Sequence, residues 1–250
     1  MTKRNVLVTG GSRGIGAAIA REFAEAGDRI AIHYVSSTAD AEKVAESLSG
    51  DGHLTAQADL RDPRAIRTMV DHVAHEFGTI DVLINNAGIF IAHPIESTTY
   101  EEWQHAWEQT IGVNLIGAAD VTWCALQHMP KNATSRIVNI GSRGAFRGEP
   151  ANPAYGASKA AIVAFGQSIA QALAPMHIGV TTLAPGFVDT EMASKNLAGP
   201  EGDGIRSQSP FNRVAQPEEL AKAVYFLASA DSEWASGAVL DFNGASYLRM

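Results

Sequence analysis

The chain reads as an α/β fold, a single domain built on a doubly wound parallel sheet of about seven strands flanked by helices. Three observations lead there. Short β-branched runs alternate with longer amphipathic stretches from end to end, and such alternation builds strand–helix–strand units. Several runs are apolar almost without a break, as strands covered on both faces are. No linker, low-complexity tract or internal repeat divides the 250 residues, a length that one large domain fills.

The elements follow in order. Val6-Leu7-Val8 forms the first strand and runs into the loop Thr9-Gly10-Gly11-Ser12-Arg13-Gly14-Ile15-Gly16. A helix is expected over 14–26, stopped by Gly27, then a strand over 29–35 and a helix over 39–49. A strand at 53–58 precedes a helix at 63–77, where Asp62 is the cap, Pro63 the first-turn proline and Gly78 the stop. Strands at 80–85, 136–140 and 178–183 alternate with helices at 114–129 and 154–174. Pro217, Glu218 and Glu219 open a helix over 217–228, their carboxylates suiting its positive end, and a strand at 239–242 closes the sheet. Residues 187–216 break the rhythm with Gly199-Pro200, Gly202 and Gly204. A segment that long, following a strand end, reads as a substrate lid or as a plain surface excursion.

Composition narrows the function. A hydrophobic fraction of 46% and a charged fraction of 18% are those of a globular protein. The formal net charge of −8 argues against nucleic acid as a partner. Cys124 is the sole cysteine, so an intrachain disulfide and a cysteine-rich metal site are excluded. His72 and His75 on one helix, and His105 on another, lack the further ligands that a metal requires. No apolar run reaches the roughly 18 residues of a membrane span, and no signal peptide is visible, so a soluble cytoplasmic protein is expected.

Two motifs carry chemistry. The glycine loop follows a strand and opens a helix, where glycines admit phosphate to the backbone and the helix start offers free N–H groups. Its spacing, G-x-x-x-G-x-G, differs from the commoner G-x-G-x-x-G, and alone it is also consistent with a tight turn. Tyr155 and Lys159, four apart, share one helix face, and a neighbouring ammonium favours the ionised phenol. A dinucleotide site and an activated tyrosine together describe hydride transfer at a carbonyl, with the phenol moving the proton. Asn114 and Ser142 stand between the two motifs in sequence.

With Asn85-Asn86-Ala87-Gly88 and Pro185-Gly186 added in that order, the chain resembles the short-chain dehydrogenase/reductase family nearly end to end. It is most similar to the branch of 3-oxoacyl-carrier-protein reductases and bacterial ketoreductases. The resemblance implies a Rossmann-type fold and a catalytic tetrad of Asn114, Ser142, Tyr155 and Lys159. In it Ser142 polarises the substrate oxygen, Tyr155 transfers the proton, Lys159 tunes the phenol, and Asn114 holds a water leading from Lys159 to solvent. It implies cofactor contacts at Gly10, Ser12, Gly14, Ile15 and Gly16. Further contacts are implied at Asp59 with Leu60 for adenine, at Asn86, Ala87 and Gly88 beside the ribose, and at Pro185, Gly186, Val188 and Thr190 around the nicotinamide. Tyr155 and Lys159 would touch the cofactor as well. A small carbonyl or alcohol substrate and a homotetramer are implied too, with the helices at 114–129 and 154–174 at one interface through Ala160, Ala161, Val163, Ala164 and Phe165.

The residues favour NADP(H) over NAD(H). An NAD site usually carries an acid at the tip of the second strand, which here reads His33-Tyr34-Val35-Ser36-Ser37. Arg13 is able to pair with a 2′-phosphate, and Ser36 to add a hydrogen bond. Two departures from the family bear on the substrate. From Trp103 to Asn114 the chain runs about one helical turn longer than its relatives, assigned to 108–112. The stretches at 131–134 and 171–176 lack the arginines with which carrier-protein reductases meet an acidic partner. Arg143, Phe146, Arg147 and Glu149 flank the pocket, suiting a polar or anionic substrate unless the arginines face solvent. A 3-oxoacyl thioester reductase and a non-catalytic NADP-binding regulator are the alternatives.

Overall fold

The computed structural model describes residues 3–249. Seven strands form one sheet: β1 (Asn5–Val8), β2 (Arg29–Tyr34), β3 (Leu54–Gln57), β4 (Val82–Asn85), β5 (Arg136–Ile140), β6 (Gly179–Pro185) and β7 (Val239–Phe242). Every pairing is parallel, in the order β3-β2-β1-β4-β5-β6-β7. The winding reverses between β1 and β4, so a crevice opens at the carboxyl ends of these two strands, where ligands of such sheets bind.

The inner strands bury both faces, whereas the edge strands β3 and β7 are partly exposed. Val6 and Val8 of β1 join Ile30 and Ile32 of β2 under α1 (Gly14–Glu25), α2 (Thr38–Glu46) and α10 (Pro217–Leu227). Leu7 and Leu83 point the other way, to Ile66, Val70 and Val73 of α3 (Pro63–Phe77) and Val121 and Ala125 of α5 (Ala118–Leu126). This two-sided burial explains the uninterrupted apolar runs of the sequence. The expected cap of α3 is present: the Asp62 carboxylate accepts from the Arg64 amide at 2.9 Å, and Gly78 leaves the helix at φ +84°.

Two regions differ from expectation. The helix expected to begin at 114 starts earlier, as α4 (Tyr100–Ile111), passes through one π-helical segment (Gly112–Gly117), and continues as α5. Its start is a capping box. Thr99 Oγ1 accepts from the Glu102 amide, and the Glu102 carboxylate accepts from the Thr99 amide at 2.9 Å. The residues assigned to an extra turn, 108–112, continue the helix without a break.

The segment 187–216 contains α8 (Glu191–Ala198) and α9 (Gly202–Arg206), each with an apolar anchor, Leu197 and Ile205. Its two ends are tied together. The Asp189 amide donates to Ala215 O, and the Ala215 amide to Phe187 O. The remaining helices are α6 (Gly144–Arg147) and α7 (Pro153–Leu173).

Candidate active site

The glycine loop leaves β1 and is held from three sides. Buried Thr9 accepts the amides of Asn86 and Ala87 on its hydroxyl, and Asn86 Nδ2 donates back to the Thr9 and Gly10 carbonyls. A β-carbon on Gly10 would meet Ala87 at 3.0 Å, and one on Gly16 would stand 2.2 Å from the Gly10 carbonyl. The tight turn therefore depends on glycine at both positions, and Gly10 adopts φ +63°. Gly14 lies against Thr190, whose side chain would be 3.5 Å from an added β-carbon. The start of α1 has no side-chain cap, leaving its first N–H groups, at Gly14, Ile15 and Gly16, without a capping side chain. That uncapped positive end fits a pyrophosphate.

His33, at the tip of β2, completes the cradle and was not singled out by its sequence. It is fully buried; Nδ1 accepts from the Gly10 amide at 3.0 Å, and Nε2 donates to Ala58 O at 3.0 Å. Burial holds its pKa below the ordinary histidine value. A polar residue inside an otherwise apolar strand run was the available signal.

The remaining cofactor positions divide. Ser12 is half-buried in the loop and Ser36 is exposed at the strand tip, while a β-carbon added to Gly88 would stand 3.4 Å from Asn114 and 3.5 Å from Lys159. Pro185 ends β6 with Gly186 behind it, and Val188 bridges to Ala215. Arg13 is exposed, 3.7 Å from Glu191 at the start of α8. Asp59 follows β3 by two residues. Its carboxylate accepts from the Arg61 side chain and amide, which hold it below the usual carboxylate range. The Leu60 side chain is buried in the core, against Gly117.

The four expected catalytic residues gather where β4 and β5 end. Ser142 follows β5; its Oγ accepts from the Gly144 amide at 3.0 Å. Lys159 Nζ donates to Ile140 O at 2.8 Å and lies 5.7 Å from the centre of the Tyr155 ring. Asn114, in the π-helical segment, accepts from the Ile89 amide at 2.8 Å. Its Nδ2 donates to Ile89 O and to Ser158 Oγ, each at 3.1 Å. Both amide protons are thus used, and one lone pair of Oδ1 remains for a water.

The electrostatics differ from the expectation for the phenol. Burial pushes Tyr155 up to about 12, opposed by a hydrogen bond to Ser142 and reinforced by the carboxylate of Glu149. Burial pulls Lys159 down to about 8. Lys159 directs its ammonium to a carbonyl, so in the protein alone desolvation outweighs the attraction that the four-residue spacing suggested.

Arg143 does not face solvent. It is buried, donates to Gln208 and Ser246, lies 4.9 Å from the Phe187 ring centre, and is pulled down to about 10 by burial. It lines a cavity of about 250 Å³ with Phe187, Ile205, Ser209 and Asn243. Arg147 also donates to Gln208, and Tyr247 donates to Phe146 O at 3.0 Å. The 143–147 turn, the end of the 187–216 segment and the chain's last residues thus form one hydrogen-bonded unit. No group of metal-ligating side chains occurs among the described residues. No helix among them is long and apolar enough to cross a membrane.

Comparison with known proteins agrees with this fold. Residues 4–201 match the short chain dehydrogenase family model. A 3-oxoacyl-[acyl-carrier-protein] reductase of Haemophilus influenzae is 36% identical over 99% of this chain and 100% of its own length. An uncharacterized oxidoreductase of Methylorubrum extorquens is 35% identical over 95% of each chain. Among solved structures, a short-chain dehydrogenase from Burkholderia cenocepacia in complex with NADP superposes with a TM-score of 0.87 at 35% identity. It covers 98% of this chain and 97% of that one. The chain belongs to the short-chain dehydrogenase family. It is accordingly an oxidoreductase of the CH–OH/C=O class on a Rossmann-type sheet.

Proposed function

We propose that the protein is an NADP(H)-dependent oxidoreductase acting on a small carbonyl or alcohol substrate, with Tyr155 as general acid in reduction and general base in oxidation. The observation that carries this reading is the meeting of Ser142, Tyr155 and Lys159 at the end of β5, next to the uncapped start of α1. The nicotinamide nucleotide, when bound, supplies or takes the hydride. The cradle of Gly10, Gly14, Ile15 and Gly16 would hold its pyrophosphate, and Arg13 and Ser36 its 2′-phosphate. Val188 and Thr190 would border the nicotinamide. No carboxylate stands at the tip of β2 to repel that phosphate.

Ser142 directs its proton at the substrate oxygen and stabilises charge that develops there. Tyr155 is fully protonated near neutral pH, the state that a general acid needs. Lys159, at about 8, is still largely a cation at pH 7 and stabilises the phenolate that forms. Asn114 fixes Ile89 and Ser158 around that lysine and has one lone pair for a relay water. In the segment 187–216, the part free to close over substrate is α8 with the turn before α9, since Gln208 and Ser209 are bonded to the rest of the protein.

A second reading, reduction of 3-oxoacyl thioesters, is favoured by the relatives that carry that name. The neutral stretches 131–134 and 171–176 weigh against docking of an acidic carrier. One experiment addresses both. NADPH oxidation is followed over ketones, sugars, quinones and acetoacetyl thioesters, with wild type, Tyr155→Phe and Arg13→Ala. Tyr155→Phe should lose at least ~100-fold in kcat while binding NADPH normally, since acid–base catalysis contributes ~10²–10⁴-fold. Arg13→Ala should raise KM for NADPH but not for NADH. A Tyr155→Phe enzyme above a hundredth of wild-type activity removes the proposed role. Turnover confined to thioesters selects the second reading.

A further inference from the structure

His93 lies outside every motif discussed so far, on the loop that follows β4, and it is 2% exposed. Its backbone amide donates to Ala151 O at 2.9 Å. Its Nδ1 is 2.7 Å from Ile91 O, and a carbonyl only accepts, so Nδ1 carries the proton. Its Nε2 is 3.1 Å from the Ala154 amide, which only donates, so Nε2 is the bare nitrogen. The two bonds fix one neutral tautomer.

Ala154 is the second residue of α7, and Tyr155 is the third. The opening N–H groups of a helix have no partner within it. Here Pro153 has no N–H, and Asn152 provides no side-chain cap; its Oδ1 is buried without a partner. The imidazole of His93 takes the place of the missing cap, from 61 residues away. The same loop reaches the catalytic ring directly: Phe90 meets Tyr155 edge to face at 4.9 Å. From the other side, the His93 ring is edge-on to Trp103 of α4 at 5.3 Å. His93 therefore ties the β4 loop and α4 to the helical turn that carries the phenol.

We infer that His93 is a positioning residue for the proposed reaction: by accepting from the Ala154 amide it sets the first turn of α7 and with it the direction of the Tyr155 hydroxyl. The inference rests on Tyr155 as the acid–base group. A small displacement of a reacting group is costly, and misplacement by about 1 Å lowers rates up to ~100-fold. The effect therefore belongs in kcat, whereas the cofactor cradle, on β1 and α1, stays intact.

Two polar substitutions separate the bonds. In His93→Gln the longer amide reaches Ala154 with an acceptor oxygen. In His93→Asn the shorter amide retains a donor for Ile91 O and does not reach Ala154. Each variant is compared with wild type and Tyr155→Phe in kcat, KM and NADPH stoichiometry, so that turnover is counted per competent site. We expect His93→Asn to lose at least ~10-fold in kcat with KM for NADPH within about twofold, and His93→Gln to stay within about threefold of wild type. Equal kcat in the two variants, or a loss in His93→Asn explained by fewer NADPH-binding sites, overturns the role of His93. A Tyr155→Phe enzyme that keeps its activity overturns the acid–base reading and the His93 inference with it. A silent His93→Asn beside an inactive Tyr155→Phe overturns the His93 inference alone.

Discussion

Lys159 is 5% exposed and has one carbonyl as its hydrogen-bond partner. Removal from water pulls its ammonium down to about 8 from 10.5, which corresponds to about 3 kcal/mol of penalty for the charged form. The sign follows from proton counting. Between pH 8 and 10.5 the unfolded chain holds the extra proton, so stability rises with pH across that window, and below 8 the whole penalty is present. Lys159→Met should therefore melt higher than wild type at pH 7, by on the order of 5 °C, and have no turnover. The gap should narrow as melts are repeated toward pH 10.5. A variant that melts lower than wild type at both ends of that range would show that the ammonium stabilises the fold. The identity of this residue was legible from its spacing to Tyr155, but its charge balance was not. Spacing shows which groups are neighbours, whereas desolvation depends on everything packed around them.

At the level of elements, the inner strands were legible because both their faces are buried, and the edge strands β3 and β7 from their place in the strand–helix alternation. β5 and β7 occupy the expected residues, and the other strands differ at an end by one or two positions. A helix around His105 was legible but the bounds of α4 were not, since it buries only Ala106 and Thr110 and so lacks a strong apolar stripe. Thr99-x-x-Glu102 was the signal available for its start. The π-helical segment was likewise hidden; its Asn114 is bonded to a loop 25 residues away, a contact that local sequence does not display. The glycine loop lies between β1 and α1 as expected, but its support was not legible: His33 reaches it from β2 through a single ring nitrogen.

That bond requires neutral imidazole. With a folded pKa below 6.5, His33 contributes stability in full above pH 6.5, and loses it as pH falls below 6.5 toward the folded value. Wild type should lose melting temperature more steeply than His33→Gln between pH 7.5 and 5.5. Parallel slopes for the two proteins would dissociate His33 from the acid sensitivity of the loop.

For the whole molecule, the homotetramer is our proposal, and exposed apolar residues support it. Ile116 and Trp123 are 53% and 58% exposed on the helix that runs through Asn114, and Ala160 and Ala164 are exposed on α7. Val163 is buried instead, turned toward Gly141 and the sheet. Trp123→Glu should convert a four-chain species into smaller ones in light scattering behind gel filtration, because a buried carboxylate without a partner opposes association. A wild-type protein that elutes as a single chain removes the proposal. The tied ends of 187–216 have a consequence of another kind. Because Phe187 and Asp189 meet Ala215 between the end of β6 and the start of α10, the residues between form an exchangeable cassette. Changing its length alters loop closure by only about 0.6 kcal/mol per doubling, so substrate range can diverge between relatives while the sheet and the proton-transfer residues stay fixed.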